Sequence, residues 1–265
     1  MSIQDILSLS TQRELKTLIV DIERLPGEFA SEFWDLADFK DRRISADDVV
    51  EWPRTISVAA HWFGTKDFRF HAVWDDGGEE AMFAAAFDLY DQADIVITYN
   101  GIAFDNKHLQ SGWVAYGMGK PSPWKDIDLL KVARQSFGFE SKTLDQVCKR
   151  LGIDPKNDRY SVRVARAAVE GDTTAQQRLA RYNKHDVKIT ASVYSHLLPY
   201  IKGHPHVAPT AAQDQTTCPR CASTDVKRSG TYSPGVYNYL AYVCNTCGGN
   251  FRTTYESRGP SVRAL

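Results

Sequence analysis

Apolar residues along the 265-residue chain fall into two kinds of pattern. Short runs rich in β-branched and aromatic side chains occur at Thr17–Ile22, Ile56–Phe63, Phe68–Trp74 and Asp94–Tyr99, and they predict strands of one sheet. Between and after them, residues 79–92, 104–116, 127–137, 143–151 and 173–198 space their apolar positions three or four apart, which predicts amphipathic helices. Three close-set strands followed by a strand–helix alternation indicate an α/β protein, a mixed sheet flanked by helices. The charged, weakly periodic stretch 26–53 reads as a long excursion between the first two strands. All periodicity stops at GHPHVAPTAAQDQT, so residues 203–216 are expected to link a main domain at 1–202 to a small unit at 217–257, with a tail at 258–265. In the small unit, Tyr237–Val243 and Asn250–Tyr255 predict strands.

Composition narrows the class. With 43% hydrophobic and 25% charged residues the chain has the makings of a globular core, and no apolar run reaches the roughly 18 residues of a membrane span. The first 16 residues carry Asp5 inside their apolar stretch and no small-residue cleavage site, so a secretory signal is not expected and a cytoplasmic location is. The formal net charge of −1 conceals an asymmetry: residues 1–130 sum to −11, residues 131–184 to +6 and residues 217–265 to +4. A polyanion against the basic part and cations in the acidic part would fit that division, as would ordinary solvated helix faces.

Three segments carry candidate chemistry. The strand Leu18-Ile19-Val20 runs into Asp21-Ile22-Glu23, and period-two alternation turns Asp21 and Glu23 to the same side. Two like charges so placed invite a cation, although an apolar strand leaving into a charged loop would look the same. A second apolar strand ends in Asn100-Gly101-Ile102-Ala103-Phe104-Asp105, where Gly101 allows a tight turn and Asp105 enters a helix, a position that also suits a plain helix-start carboxylate. In Arg181-Tyr182-Asn183-Lys184-His185-Asp186, the spacing of four puts Tyr182 and Asp186 on one helix face.

Together and in this order, Asp-x-Glu, Asn-x-x-x-Phe-Asp and Tyr-x-x-x-Asp resemble the motifs of the DnaQ-like, ribonuclease-H-fold 3′-to-5′ exonucleases with four catalytic acids, in the subclass that carries a tyrosine. The resemblance covers roughly residues 15–200. In the histidine subclass a His stands five residues before the last Asp; here that position is Arg181, and His185 reads as a packing or surface residue. The resemblance implies a ribonuclease H-like fold and a two-metal site for Mg²⁺ or Mn²⁺. Asp21, Glu23 and Asp186 would hold the ion that activates water, and Asp21 with Asp105 the ion at the leaving group. Tyr182 would orient the water, since a phenol with a pKa near 10 is a poor base at neutral pH. Asn100, Phe104, Lys142 and Arg163 are candidate substrate-binding residues; Lys156, Arg159 and Arg166 crowd the same approach, and Asp126 and Asp128 compete for a position near the second metal. The implied partner is nucleic acid, DNA ahead of RNA. A structure-selective endonuclease on the same fold, or a non-catalytic nucleic-acid-binding module, stays open as an alternative. The stretch Gly112–Pro121 has the wrong spacing for a phosphate loop and Pro121 where Ser or Thr is needed, which argues against a nucleotide triphosphatase.

Cys218-Pro-Arg-Cys221 and Cys244-Asn-Thr-Cys247 form two C-x-x-C knuckles, the spacing of a closed four-thiolate Zn²⁺ site, and the unit resembles a zinc ribbon. It is too small for a core of its own and is expected to fold only with metal. Its cations Lys227, Arg228 and Arg252 and its tyrosines 232, 237, 239 and 242 suit a nucleic-acid strand; docking of a replication or repair protein, or a purely structural cap, is the other reading. Cys148 sits among apolar positions and is read as core.

Overall fold

The computed structural model describes residues 15–30, 45–153, 160–207, 216–234 and 237–253. The rest of the excursion (31–44), Lys156 and Arg159, most of the expected linker and everything after residue 253 lie outside the described residues. Among the described residues ten strands and six α-helices follow in order: β1 Thr17–Leu25, β2 Glu28–Phe29, β3 Val49–Glu51, β4 Arg54–Trp62, β5 Phe68–Ala72, α1 Gly78–Gln92, β6 Ile95–Thr98, α2 Asp105–Ala115, β7 Lys125–Asp128, α3 Leu129–Ser136, α4 Leu144–Leu151, α5 Val162–Val169, α6 Thr173–Leu197, β8 Val226–Tyr232, β9 Tyr239–Cys244 and β10 Asn250–Arg252.

Five strands make the main sheet in the order β5-β4-β1-β6-β7. β4 runs antiparallel to β1 and β5 antiparallel to β4, whereas β6 and β7 run parallel to β1. Central strand β1 is apolar on both sides because helices cover both faces, and its alternation sorts the core in two. Leu18, Val20 and Ile22 pack with Val58, Ala60 and Val96 under Met82, Phe83, Tyr90, Leu109 and Trp113 of α1 and α2. Ile19 faces the other way, into a cluster with Ala59, Ile97, Val147, Val187, Val193 and Tyr194 beneath α4 and α6. Asp21 and Glu23 share Ile19's parity, so both point to the α6 side of the sheet.

Helix α6, 25 residues long and about 37 Å by the rise of an α-helix, is the main brace on that side. Asp172 caps it by accepting from the N–H groups of Thr174 and Ala175, and Pro199 closes it in a 3₁₀ turn at Leu198–Tyr200. On the opposite layer Gly112 lets α2 approach α1 closely: a Cβ there would stand 2.2 Å from the Phe83 ring. This places the rejected phosphate-loop stretch inside a helix and its exit.

The structure departs from the sequence pattern at several elements. Residues 125–128, whose latter half was assigned to a helix beginning at Ile127, form edge strand β7, and α3 starts only at Leu129. The stretch Lys-Asp-Ile-Asp has no strand propensity of its own, and pairing with β6 (Ile97 with Ile127, Thr98 with Asp128) imposes the conformation. Helix α5, strand β8 and the small β2–β3 hairpin inside the excursion have no counterpart in the expected elements. Strand β5 also ends two residues early, where Asp75 accepts from the N–H of Ala72 and turns the chain.

At the C-terminal end, β8, β9 and β10 form a three-stranded antiparallel sheet in the order β10-β9-β8. It joins the main body through its knuckles: Cys221 and Cys247 pack against the α6-side core, Val207 N–H donates to Pro219 O at 2.8 Å, and Arg220 donates to Ile201 O at 3.4 Å. Cys148 is fully buried, as its apolar neighbours indicated. No described helix is long and apolar enough to cross a membrane.

Candidate active site

The regular part of β1 ends at a register shift between Glu23 and Arg24, a bulge that bends the strand as it leaves the sheet. Just before it, Asp21 pairs with Ala59 and Glu23 with Ser57 of β4. Ala59 is small enough to admit α6, and α6 brings Asp186 down onto this spot. One carboxylate oxygen from each of Asp21, Glu23 and Asp186 lies within 4.8 Å of the others. Asp186 is 4% exposed and Glu23 9%. Like charges at this separation repel by about 3 kcal/mol per pair at the effective dielectric of a protein surface, and a divalent cation turns that cost into attraction. An ion with oxygen ligands at about 2.0–2.6 Å spans such a triangle, so the donor set fits a hard divalent metal.

Asp105 reaches the same strand from the other neighbour. It opens α2, is 5% exposed, and accepts the N–H of Ile22 at 3.1 Å, one residue from both Asp21 and Glu23. It lies outside the group of three whose oxygens converge. Burial raises its pKa, hydrogen bonds from backbone N–H groups oppose the rise, and the charge of Asp128 adds to it; the result is a value of about 6. Asp128 is itself spoken for: it caps α3 through Leu130 N–H and accepts the N–H of Asn100 at 2.9 Å. Asp126 instead braces α2 to β7, accepting from Asn106 at 2.7 Å and from Trp124 Nε1 at 2.9 Å.

The turn between β6 and α2 divides its labour differently from the expectation. Asn100, not Gly101, adopts the left-handed conformation, with φ 74°. Gly101 is required for space, since a Cβ there would stand 2.4 Å from the Thr98 side chain. The turn leaves Phe104 exposed beside the site, edge-on to His108 at 4.7 Å between centroids. Arg24, redirected by the bulge, donates to His108 Nε2 at 3.2 Å and to Pro53 O at 2.8 Å. Burial first, then the charges of Arg24 and Lys107, lower the pKa of His108.

Other residues near the carboxylates escaped the sequence reading. Asn183 is fully buried; its amide donates to Asp21 Oδ2 at 2.7 Å and its carbonyl accepts the Ser57 hydroxyl at 3.0 Å, which holds Asp21 from behind. Its spacing of three from Asp186 was the available signal, because i and i+3 share a helix face. Tyr160 donates to Arg24 O at 2.5 Å, and its ring centroid lies 6.3 Å from that of Tyr182. Burial and then the charge of Glu23 push the Tyr160 phenol up to about 12. No local pattern marks Tyr160, which stands 137 positions after Glu23 in the chain.

The basic candidates divide. Arg163 is exposed on α5. Lys142 is part-buried in the loop beside the second motif, where its ammonium donates to Phe139 O at 2.5 Å and its own carbonyl accepts from Tyr99. Arg166 is ion-paired with Glu28 at 2.5 Å and Glu51 at 3.5 Å, tying α5 to the β2–β3 hairpin.

In the C-terminal module the four Sγ atoms lie within 4.8 Å of one another, with Cys218–Cys247 and Cys221–Cys244 both at 3.7 Å. None is in a disulfide. A tetrahedron with Zn–S bonds of about 2.3 Å has S···S edges of about 3.8 Å, so the cluster has the size of a Zn²⁺ site and is compatible with a zinc ribbon. Burial opposes ionisation of Cys244, but the N–H groups of Cys247 and Thr246 and the neighbouring thiols bring that thiol down to about 7, whereas burial pushes the Cys221 and Cys247 thiols up.

A mixed five-stranded sheet in this order, covered by helices on both faces and carrying acids at the end of its central strand, is the ribonuclease H-like class of fold. The model of the RNase_H_2 family, RNase_H superfamily, matches residues 53–198, more than half of the chain, and the chain belongs to that superfamily. Membership supports a nuclease function. Among solved structures the chain is similar to the family B DNA polymerase of the hyperthermophilic archaeon Pyrobaculum calidifontis, with a TM-score of 0.51 and 18% sequence identity over 71% of this chain. It spans 25% of that polymerase chain, and at this identity the likeness concerns the fold. No curated protein matches.

Proposed function

We propose that this protein is a divalent-metal-dependent 3′-to-5′ exonuclease that hydrolyses phosphodiester bonds of nucleic acid, DNA ahead of RNA. The observation that carries this reading is the convergence of Asp21, Glu23 and Asp186 oxygens within 4.8 Å at the exit of the central strand. Asp105, one hydrogen bond away on Ile22, supplies the fourth acid. A bound pair of Mg²⁺ or Mn²⁺ ions would supply an activated hydroxide and charge stabilisation at the leaving oxygen. Asp21, Glu23 and Asp186 would hold one ion, Asp21 and Asp105 the other. The chain's own residues do the positioning. Tyr182, one turn before Asp186 on α6, orients the attacking water, and its phenol has no need to act as a base. Asn183 fixes the rotamer of Asp21 through its 2.7 Å hydrogen bond, with Ser57 holding the amide in turn. Asn100 and the exposed ring of Phe104 receive the terminal nucleotide, and Arg163 faces the phosphates of the incoming strand. The four cysteines hold one structural Zn²⁺, and residues 217–257 form the ribbon around it.

The test is digestion of 3′-labelled and 5′-labelled single-stranded and duplex DNA, and matching RNA, in Mg²⁺ or Mn²⁺, comparing wild type with Asp21→Ala. Mononucleotides released first from the 3′ end, and lost in the variant, are expected. Internal cuts would replace this reading with an endonuclease, and binding without cleavage would replace it with a non-catalytic module.

A further inference from the structure

The C-terminal sheet carries a face that the proposed catalytic centre does not use. Register places Tyr232 opposite Tyr239, Arg252 and Gly230 beside Ala241, and Lys227 and Asn250 beside Val243. Residues paired across strands share a face, and Tyr239, Ala241 and Val243 share one by alternation. Two cations, two tyrosines and an asparagine therefore stand together on one side, and no acidic residue joins them among the described residues. Beside Tyr232, Ala241, Asn250 and Arg252 lies a hollow of about 270 Å³, which Ser229, Tyr242 and Phe251 also line. The Arg252 guanidinium lies 3.8 Å from the centroid of the Tyr239 ring and 5.9 Å from that of Tyr232, and Nη1 donates to Thr253 O at 3.2 Å. Stacked in this way it is held ready at the rim. Tyr232 is 51% exposed, far more than a packing tyrosine requires. The module meets the main body through its knuckle end, at Pro219, Arg220, Cys221 and Cys247, which leaves this face uncovered among the described residues.

We propose that this face binds single-stranded nucleic acid, with Lys227 and Arg252 on phosphates and one base stacked on Tyr232 beside Ala241. The choice of nucleic acid as partner rests on the nuclease reading; the choice of a single strand rests on the face itself. Uniform positive charge suits a polyanion, and an exposed ring stacks on a base whose face is not already covered by duplex neighbours, as in a single strand.

The experiment uses the full-length chain carrying Asp21→Asn, so that bound strand is not cut, and reads fluorescence anisotropy of a labelled oligothymidine across a salt series. Tyr232→Ala is expected to weaken binding about five- to hundredfold, and Tyr232→Phe to leave it unchanged. Lys227→Ala and Arg252→Ala should each reduce the slope of log K against log salt by about 0.7. Stoichiometric zinc in every variant shows that the module is folded. Unchanged affinity and slope in zinc-loaded Tyr232→Ala and Arg252→Ala would overturn the proposal and leave a protein contact or a cap as the role of this face. Failure of the two readings is separable: a wild type that never cleaves, with binding lost in these variants, sinks the exonuclease alone, whereas 3′ cleavage with binding indifferent to Tyr232 and Arg252 sinks the ribbon site alone.

Discussion

Among the described residues stand two clusters that could hold a metal ion, and they are supported in opposite ways. The carboxylates of Asp21, Glu23 and Asp186 sit at the edge of an extensive apolar core, on a strand whose Leu18, Ile19 and Val20 are buried and a helix anchored by Val187 and Val193. Packing brings these acids together against their mutual repulsion. In the cysteine module no strand has a buried face, and Cys218, Cys244 and Gly249 are its buried residues among those described. There the ligands themselves are the core. A site held by packing can exchange its ions during turnover, whereas a site that substitutes for packing cannot lose its ion and stay folded.

The largest effect expected from this contrast is on the module. Removing zinc with a strong chelator, or changing Cys218 to Ser, withdraws a binding energy of about 10–16 kcal/mol from so small a unit. Hydrogen exchange should then show β8–β10 losing protection while β1, β4 and β6 keep theirs; a module that stays protected without zinc would break the comparison. Next in size, Asp21→Ala or Asp186→Asn should lower cleavage more than about 100-fold, beyond the usual cost of an outer-shell change. Either variant should leave the melting temperature level or raised, because a repelling charge has gone from a preformed site. A large drop in melting temperature would mean that the acids, too, are structural.

Asn183→Ala tests the preformed site more finely. Without its hydrogen bond Asp21 is free to turn, and the Mg²⁺ or Mn²⁺ concentration for half-maximal cleavage should rise about 10–100-fold, measured by metal titration, with Ser57→Ala showing a smaller rise. The smallest effect concerns the junction of the two regions. His204 shares a 2.6 Å hydrogen bond with the hydroxyl of Tyr194, on the core face that Cys221 and Cys247 cover. Burial, followed by the charge of Arg220, lowers its pKa below 6.5, against an opposing hydrogen bond to Pro205. A histidine with a depressed folded pKa contributes stability above its unfolded value, near 6.5, that is lost as pH falls below it. Wild type should therefore lose stability in urea melts between pH 7 and pH 5, and His204→Gln should flatten that dependence.

Much of the architecture could be read from residue patterns because the relevant elements are apolar with a clean period. The β1, β4 and β6 runs and the long α6 pattern are of this kind, and the structure forms all four near the expected bounds. β7 and α5 escaped for the opposite reason. Their sequences are charged or ambiguous, and long-range contacts decide their conformation: β6 for β7, and α6 with the β2–β3 hairpin for α5.

The candidate site shows the same division. The residue types and their spacing within each segment, Asp21 with Glu23, Phe104 with Asp105, Tyr182 with Asp186, and the two cysteine knuckles, were local facts that the sequence by itself determined. It also determined that Asp21 and Glu23 share Ile19's side of β1, since alternation needs no knowledge of the fold. Only the tertiary structure decided that α6 covers that side, which brings Asp186 together with Asp21 and Glu23, 165 and 163 positions earlier in the chain. It alone turned Arg166 to Glu28 and Glu51, set Asn183 between Asp21 and Ser57, and gathered Lys227, Tyr232, Tyr239 and Arg252 on one face. Local periodicity encodes which way a side chain faces within its own element, while the neighbour it meets depends on how distant apolar surfaces close upon one another.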